Sequence, residues 1–275
     1  MIGAIIGDVV GSPFEFANVK TKHFPLLSPQ SGCTDDSLMT IAMAWALLEW
    51  PPAQFGQAAA EAMRRVGRMY PHPKGGYGAR FQTWLNSPSP APYGSYGNGA
   101  AMRVAPCAEA AASLEEALDL ARQSAQVTHN HPEGIKGAQA VAAAVYLARA
   151  GAGKEEIRRY IGEKFYSLDR TLDQIRPDYT FDESCQGTVP QAITAFFESE
   201  SFEDALRAAV SLGGDSDTLA AITDVYKRQR WNRAAPRPGW PDAPCSWVCQ
   251  AQPEEGYALK GMKFQAIAEG EARHV

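Results

Sequence analysis

Two short acidic strings lie near opposite ends of the chain, Thr34-Asp35-Asp36-Ser37 and Gly213-Gly214-Asp215-Ser216-Asp217-Thr218, and each opens an apolar run. If folding joins these two helix starts, four carboxylates and two threonine hydroxyls share one pocket. Like charges that close cannot all stay ionised without a counter-charge. An all-oxygen donor set suits hard divalent cations. Taken singly, either string is explained by helix capping, since Thr34 is a good N-cap and acids in a first turn complement the helix dipole. Capping does not explain paired aspartates at both starts, their hydroxyl neighbours, or a Gly-Gly pair that lets backbone approach whatever the acids hold. Together the strings point to a metal site at two helix N-termini.

The segments around them are helical in pattern. Residues 37–48, SLMTIAMAWALL, are apolar on nearly every face and suit a buried central helix. After Pro51 and Pro52 an amphipathic helix is predicted over 53–69, ended by the proline and glycine cluster at 71–78. Residues 86–99, rich in Pro, Ser, Gly and Tyr, read as a long loop of the kind that carries function. Alanine-rich helices are predicted over 100–112, 114–124, 133–150 and 154–165, then 189–198, with Pro190 in its first turn, and 202–212. No period-2 strand or internal repeat interrupts them, so the fold class is all-α.

The 275 residues can bury a substantial core as one large domain or two small ones. A net charge of -5 argues against a dedicated nucleic-acid surface. Five cysteines, odd in number and scattered, form no disulfide framework, and Cys245 and Cys249 lack the second pair that a zinc site needs. With no basic leader and no apolar stretch of about twenty residues, the expectation is a cytoplasmic monomer without membrane contact. From residue 224 the alanine-rich pattern stops, and tryptophans and prolines crowd a short span. The string DVYKRQ at 224–229 also resembles an in-frame translation of a transposon adapter end used in DNA library preparation. The expected organisation is a helical domain at 1–223 and an anomalous tail at 224–275, disordered or an assembly artefact.

Other residues could serve the same pocket. Asp8 lies in the glycine-punctuated opening GAIIGDVVG, where a buried carboxylate needs a partner such as a metal or its water. Glu15 follows just beyond Pro13, either as a solvated loop acid or as a catalytic one. The loop from Gly94 to Arg103 ends at a predicted helix start whose free N–H groups could hold a diphosphate. Capping and packing explain His129 and His131 better than metal ligation does. A solvated face is the simplest place for Arg103 and Lys136.

The strings GAIIGDVVGSPFEF, TDDSLMT, SYGNGAAMRVAP, THNHPEGIKGAQA and GGDSDTLAAI occur in an order and spacing that resemble the ADP-ribosylglycohydrolase family over residues 1–223, in its short bacterial branch with relatives of the dinitrogenase reductase activating glycohydrolase. The resemblance implies an all-α orthogonal bundle with two Mg²⁺ ions. Thr34, Asp35, Asp36, Asp215, Asp217 and Thr218 match its metal ligands, and Asp8 would act behind them. Glu15 matches an acid near the scissile ribose, with Asp36 and Asp217 as further catalytic candidates. Ser95, Tyr96, Gly97 and Asn98 match the ADP-ribose loop, and His129 falls at a substrate-side position. After Thr223 relatives continue into a helix that closes the bundle, which the tail would replace. The implied activity is magnesium-dependent cleavage of the bond between ADP-ribose and a modified protein or small molecule. A metal-dependent phosphohydrolase acting on a nucleotide diphosphate and a non-catalytic ADP-ribose binder are the alternatives.

Overall fold

The structure, a computed structural model, describes residues 1–49 and 54–223. The expected tail at 224–275, with Cys245 and Cys249, lies outside the described residues. Those residues form α1 (Ile2–Gly11), α2 (Asp35–Glu49), α3 (Phe55–Met69), α4 (Ala79–Asn86), α5 (Ala105–Ala110), α6 (Leu114–Gln126) and α7 (Pro132–Ala150). They continue with α8 (Lys154–Lys164), α9 (Leu172–Ile175), α10 (Cys185–Phe197), α11 (Phe202–Val210) and α12 (Ser216–Ile222). Among the described residues there is no strand, only an isolated antiparallel bridge between Gly97 and Ser184, so the all-α expectation holds. None of these helices is long and apolar enough to cross a membrane.

Alanine sets the packing. α7 buries Ala138, Ala140, Val141, Ala142, Ala143, Ala144, Val145 and Ala148, and small side chains on several faces let α5, α6, α8 and α10 pack around it. α2 does the same with Leu38, Met39, Ala42, Met43 and Ala46 against α3 and α5. The closest seam joins α1 to α12. A Cβ on Gly11 would sit 2.5 Å from Asp217 Cα, and one on Gly7 would sit 2.5 Å from the Ala220 carbonyl carbon. Backbone against backbone at that range places the chain's first helix beside the second acidic string.

Three expectations need correction. The 71–78 cluster ends α3, but α4 follows before the long loop, burying Phe81, Trp84 and Leu85 at helical spacing. The helix expected from residue 100 begins only at Ala105, because residues 98–100 form a 3₁₀ turn. α10 starts at Cys185, where the Ser184 hydroxyl accepts from Gly187 N at 3.0 Å. Pro190 is therefore inside the helix and not in its first turn.

In an ordinary helix, Gly→Ala stabilises by about 1 kcal/mol. At Gly11 the added methyl overlaps Asp217, so Gly11→Ala should instead destabilise by about 1–3 kcal/mol, read as a lower midpoint in urea unfolding. A midpoint equal to or above wild type would show that the seam is looser than described.

Candidate functional site

The start of α2 is held from α1. Asp8, fully buried, accepts hydrogen bonds from Thr34 N (2.9 Å), Thr34 Oγ1 (2.8 Å), Ser37 N (3.0 Å) and the Ser37 hydroxyl. Thr34 Oγ1 in turn accepts from Asp36 N at 3.2 Å, so the capping role expected of Thr34 is present. Asp8 thus has protein donors for partners, where a metal or its water was expected. Its bonds hold the first turn of α2, where Asp35 and Asp36 lie.

Those acids meet α12. Thr218 Oγ1 donates to Asp36 Oδ2 at 3.1 Å, across the two acidic strings. Asp36 Oδ1 is buried and has no hydrogen-bond partner among the described residues. Glu15, Asp215 and Asp217 each offer a carboxylate oxygen, and all three atoms lie within 4.8 Å of one another. Asp215 Oδ2 also accepts from Asn98 Nδ2 at 2.7 Å, which ties the expected substrate loop to the acids. An orphaned buried oxygen beside converging carboxylates and hydroxyls is a donor set that fits a hard divalent cation.

The electrostatics agree. Burial, then the charges of Asp217 and Asp8, pushes Glu15 up to about 7, while Lys74 pulls the other way. Burial raises Asp215 to about 6 against a bond from Asn98, with Glu15 and Asp35 adding repulsion. Asp35 and Asp36 are raised well above the usual carboxylate range by burial and by Asp217. Asp217 is raised likewise, by burial and by Asp215.

A short loop that carries no acid except Glu15 fixes the relation between the acids. Gly213 and Gly214 adopt left-handed φ of 72° and 69° ahead of Asp215. Asn18 brackets that turn, its Oδ1 accepting from Gly214 N (2.8 Å) while its Nδ2 donates to Gly214 O (3.0 Å), Phe14 O (2.7 Å) and Glu15 O (2.9 Å). Lys20 Nζ donates to Leu212 O, Tyr179 O and Arg176 O. Sequence reasoning missed both residues, because a polar residue in a loop carries no signal of the backbone it will reach.

The Ser95-Tyr96-Gly97-Asn98 loop lies against α7 and α10 rather than opening as a free nest. Ser95 Oγ accepts from Gly97 N (3.1 Å), Glu183 O from Asn98 N (2.6 Å), Tyr96 O from Cys185 N (2.9 Å), and Asn130 Oδ1 from Gly94 N (2.7 Å). Much of the N–H supply expected for a diphosphate is already used. His129 is buried and its Nε2 edge faces Gly97 and Gly99. His131 caps α7 through Nδ1, accepting from Glu133 N at 3.1 Å. Arg103, expected on a solvated face, is 1% exposed.

Comparison with known proteins gives the family. The ADP-ribosylglycohydrolase family profile matches residues 1–223. The chain belongs to the ADP-ribosylglycohydrolase family. Human ADP-ribosylhydrolase ARH3 is 28% identical over 344 aligned residues, spanning 97% of this chain and 91% of that protein. ADP-ribosylarginine hydrolase Tri1 of Pseudomonas putida (strain GB-1) is 26% identical, over 87% of this chain and 71% of its own. The ADP-ribosyl-(dinitrogen reductase) glycohydrolase of Rhodospirillum rubrum is 29% identical over 58% of this chain and 52% of its own. A solved structure titled an ADP-ribosylglycohydrolase-related protein complex shares the fold, with a TM-score of 0.60 at 24% identity, covering 81% of this chain and 82% of that one. As a family member, the chain is a hydrolase of ADP-ribose glycosidic linkages.

Carboxylates with raised folded-state values bind protons that the unfolded chain releases, so their favourable contribution is full below about pH 4. It is lost as pH rises through about 6 for Asp215 and about 7 for Glu15. Metal-free protein should therefore lose thermal stability between pH 4 and 7 at these groups. Added Mg²⁺ should raise the midpoint more at pH 7.5 than at pH 5. A Mg²⁺ effect independent of pH would contradict this.

Proposed function

We propose that this chain is a magnesium-dependent enzyme that releases ADP-ribose from a modified protein or small molecule by hydrolysing the bond at ribose C1″. The observation that carries the proposal is the meeting of both acidic strings around the orphaned Asp36 Oδ1, bridged by the Thr218 to Asp36 contact. Thr34, Asp35, Asp36, Asp215, Asp217 and Thr218 would hold two Mg²⁺ ions. When bound, the ions supply Lewis acidity that polarises ribose hydroxyls and a nearby water.

The chain's own residues do the rest. Glu15, whose carboxylate converges on those of Asp215 and Asp217, would take the proton of the attacking water and return one to the leaving group. Water adds across the C1″ bond, leaving a hydroxyl on the ribose and a proton on the released acceptor. Asn18 bonds both the Glu15 and Gly214 carbonyls, which ties the backbone of the base to the turn that leads into α12. Asn98 joins the substrate loop to Asp215. Ser95, Tyr96, Gly97 and His129 line the ground where the diphosphate and distal ribose would rest. Asp8 serves by orienting Thr34 and the start of α2. The name of the Pseudomonas putida relative makes ADP-ribosylarginine the first linkage to test.

Asp217→Ala should abolish ADP-ribose release, and EDTA should do the same to the wild type. Glu15→Gln should lower kcat by about 10²–10⁴-fold, the usual contribution of a positioned general base, with Mg²⁺ affinity measured separately by calorimetry. Chromatography of the products decides between reaction types: intact ADP-ribose means glycosidic cleavage, whereas AMP means attack at phosphorus and would refute the proposal. Wild-type turnover by Asp217→Ala would refute the ligand assignment.

Loss of Asn18 tests the clamp. Asn18→Ala should lower kcat about tenfold or more by freeing Glu15 from the turn, since misplacements of about 1 Å cost up to 10²-fold. Activity assayed alongside circular dichroism separates this from unfolding.

A further inference from the structure

Arg103 is 1% exposed and makes no ion pair among the described residues. A buried guanidinium without a carboxylate is costly, so its hydrogen bonds show what it is for. Nε donates to Ser124 Oγ (3.2 Å), and Nη2 donates to Ser124 O (2.7 Å) and to Thr128 Oγ1 (2.9 Å). Thr128 Oγ1 lies 2.7 Å from His129 Nδ1.

Arginine can only donate. The Thr128 hydroxyl has one proton of its own, which Arg103 cannot accept, and His129 Nδ1 is the acceptor within reach among the described residues. Nδ1 must then be bare and the ring proton must sit on Nε2. That edge meets the substrate loop: a Cβ on Gly99 would lie 3.3 Å from Nε2 and one on Gly97 3.5 Å. Tyr93 flanks the ring at 5.7 Å. The charged groups bearing on the ring, Arg103 and Arg80, both oppose a second proton, and burial opposes it more strongly.

We propose that Arg103 and Thr128 are positioning residues that lock His129 as a neutral ring with its proton on Nε2, a fixed donor to an anionic oxygen of the substrate at the Gly97–Gly99 turn. This rests on the placement of ADP-ribose against that loop. The lock supplies a side-chain donor at a turn where the Gly94, Gly97 and Asn98 N–H groups already bond to Asn130, Ser95 and Glu183.

The test is proton–nitrogen NMR of the full chain labelled with ¹⁵N-histidine, without substrate, over roughly pH 5.5–8, where a free imidazole titrates. His129→Gln assigns the signal. The wild type should show the Nε2–H pattern throughout. Thr128→Val keeps the shape but removes the hydroxyl, and should give mixed tautomers and ADP-ribose binding weakened about tenfold, the loss of one hydrogen bond to a charged group. Thr128→Ser should restore both readouts. An Nδ1–H pattern or ordinary titration of His129 in the wild type would overturn the lock. Unchanged ADP-ribose affinity in Thr128→Val would overturn its role in binding. If the wild type binds no ADP-ribose, the functional proposal fails and the NMR result still decides the lock.

Discussion

The site depends on a carboxylate that never faces it. Asp8 is buried where an unpaired charge would be prohibitive, and its stability there comes from donors at the first turn of α2. That single set of bonds fixes where α2 begins, and the favourable helix dipole at that end adds to it. Because Asp8 also rides on α1, which is pressed against α12, the same interaction sets the spacing between the two acidic strings. Asp35 and Asp36 can then be presented without being needed for capping.

What this arrangement holds together is electrostatically unfavourable by itself. No lysine or arginine forms an ion pair with Asp35, Asp36, Asp215 or Asp217 among the described residues, and each of the four is raised by burial and by other acids. The scaffold must supply the rigidity that the acids work against. Asn18 and Lys20 do this at the Gly213-Gly214 turn, and the alanine-rich helices do it through close packing. Stored repulsion of this kind is characteristic of functional sites, and a bound cation would relieve it.

Much of the centre was legible in the sequence because its composition is anomalous: paired aspartates at helix starts have no structural explanation that covers both ends. The all-α class was equally readable from unbroken alanine-rich periodicity. Asp8 was legible as a buried acid in need of partners, but not as the anchor of α2, because its donors lie in a segment reached only after folding. Asn18 and Lys20 act through backbone carbonyls and amides, which leave no trace in residue type. Arg103 was misread for a related reason. Its donors reach Ser124 and Thr128, more than twenty residues away, so nothing in its own neighbourhood signalled burial. In the expected substrate loop, the pairing beside Gly97 and Ser184 takes up the Asn98 amide on Glu183 O, a contact between distant segments that the sequence does not reveal.

The seam of Gly7 and Gly11 against α12 has a consequence for biogenesis. The half of the pocket made first leaves the ribosome long before its complement, and a stalled or truncated nascent polypeptide carries Asp8, Asp35 and Asp36 with nothing opposite them. Only after α12 is synthesised and docked do the two acidic strings stand opposite one another.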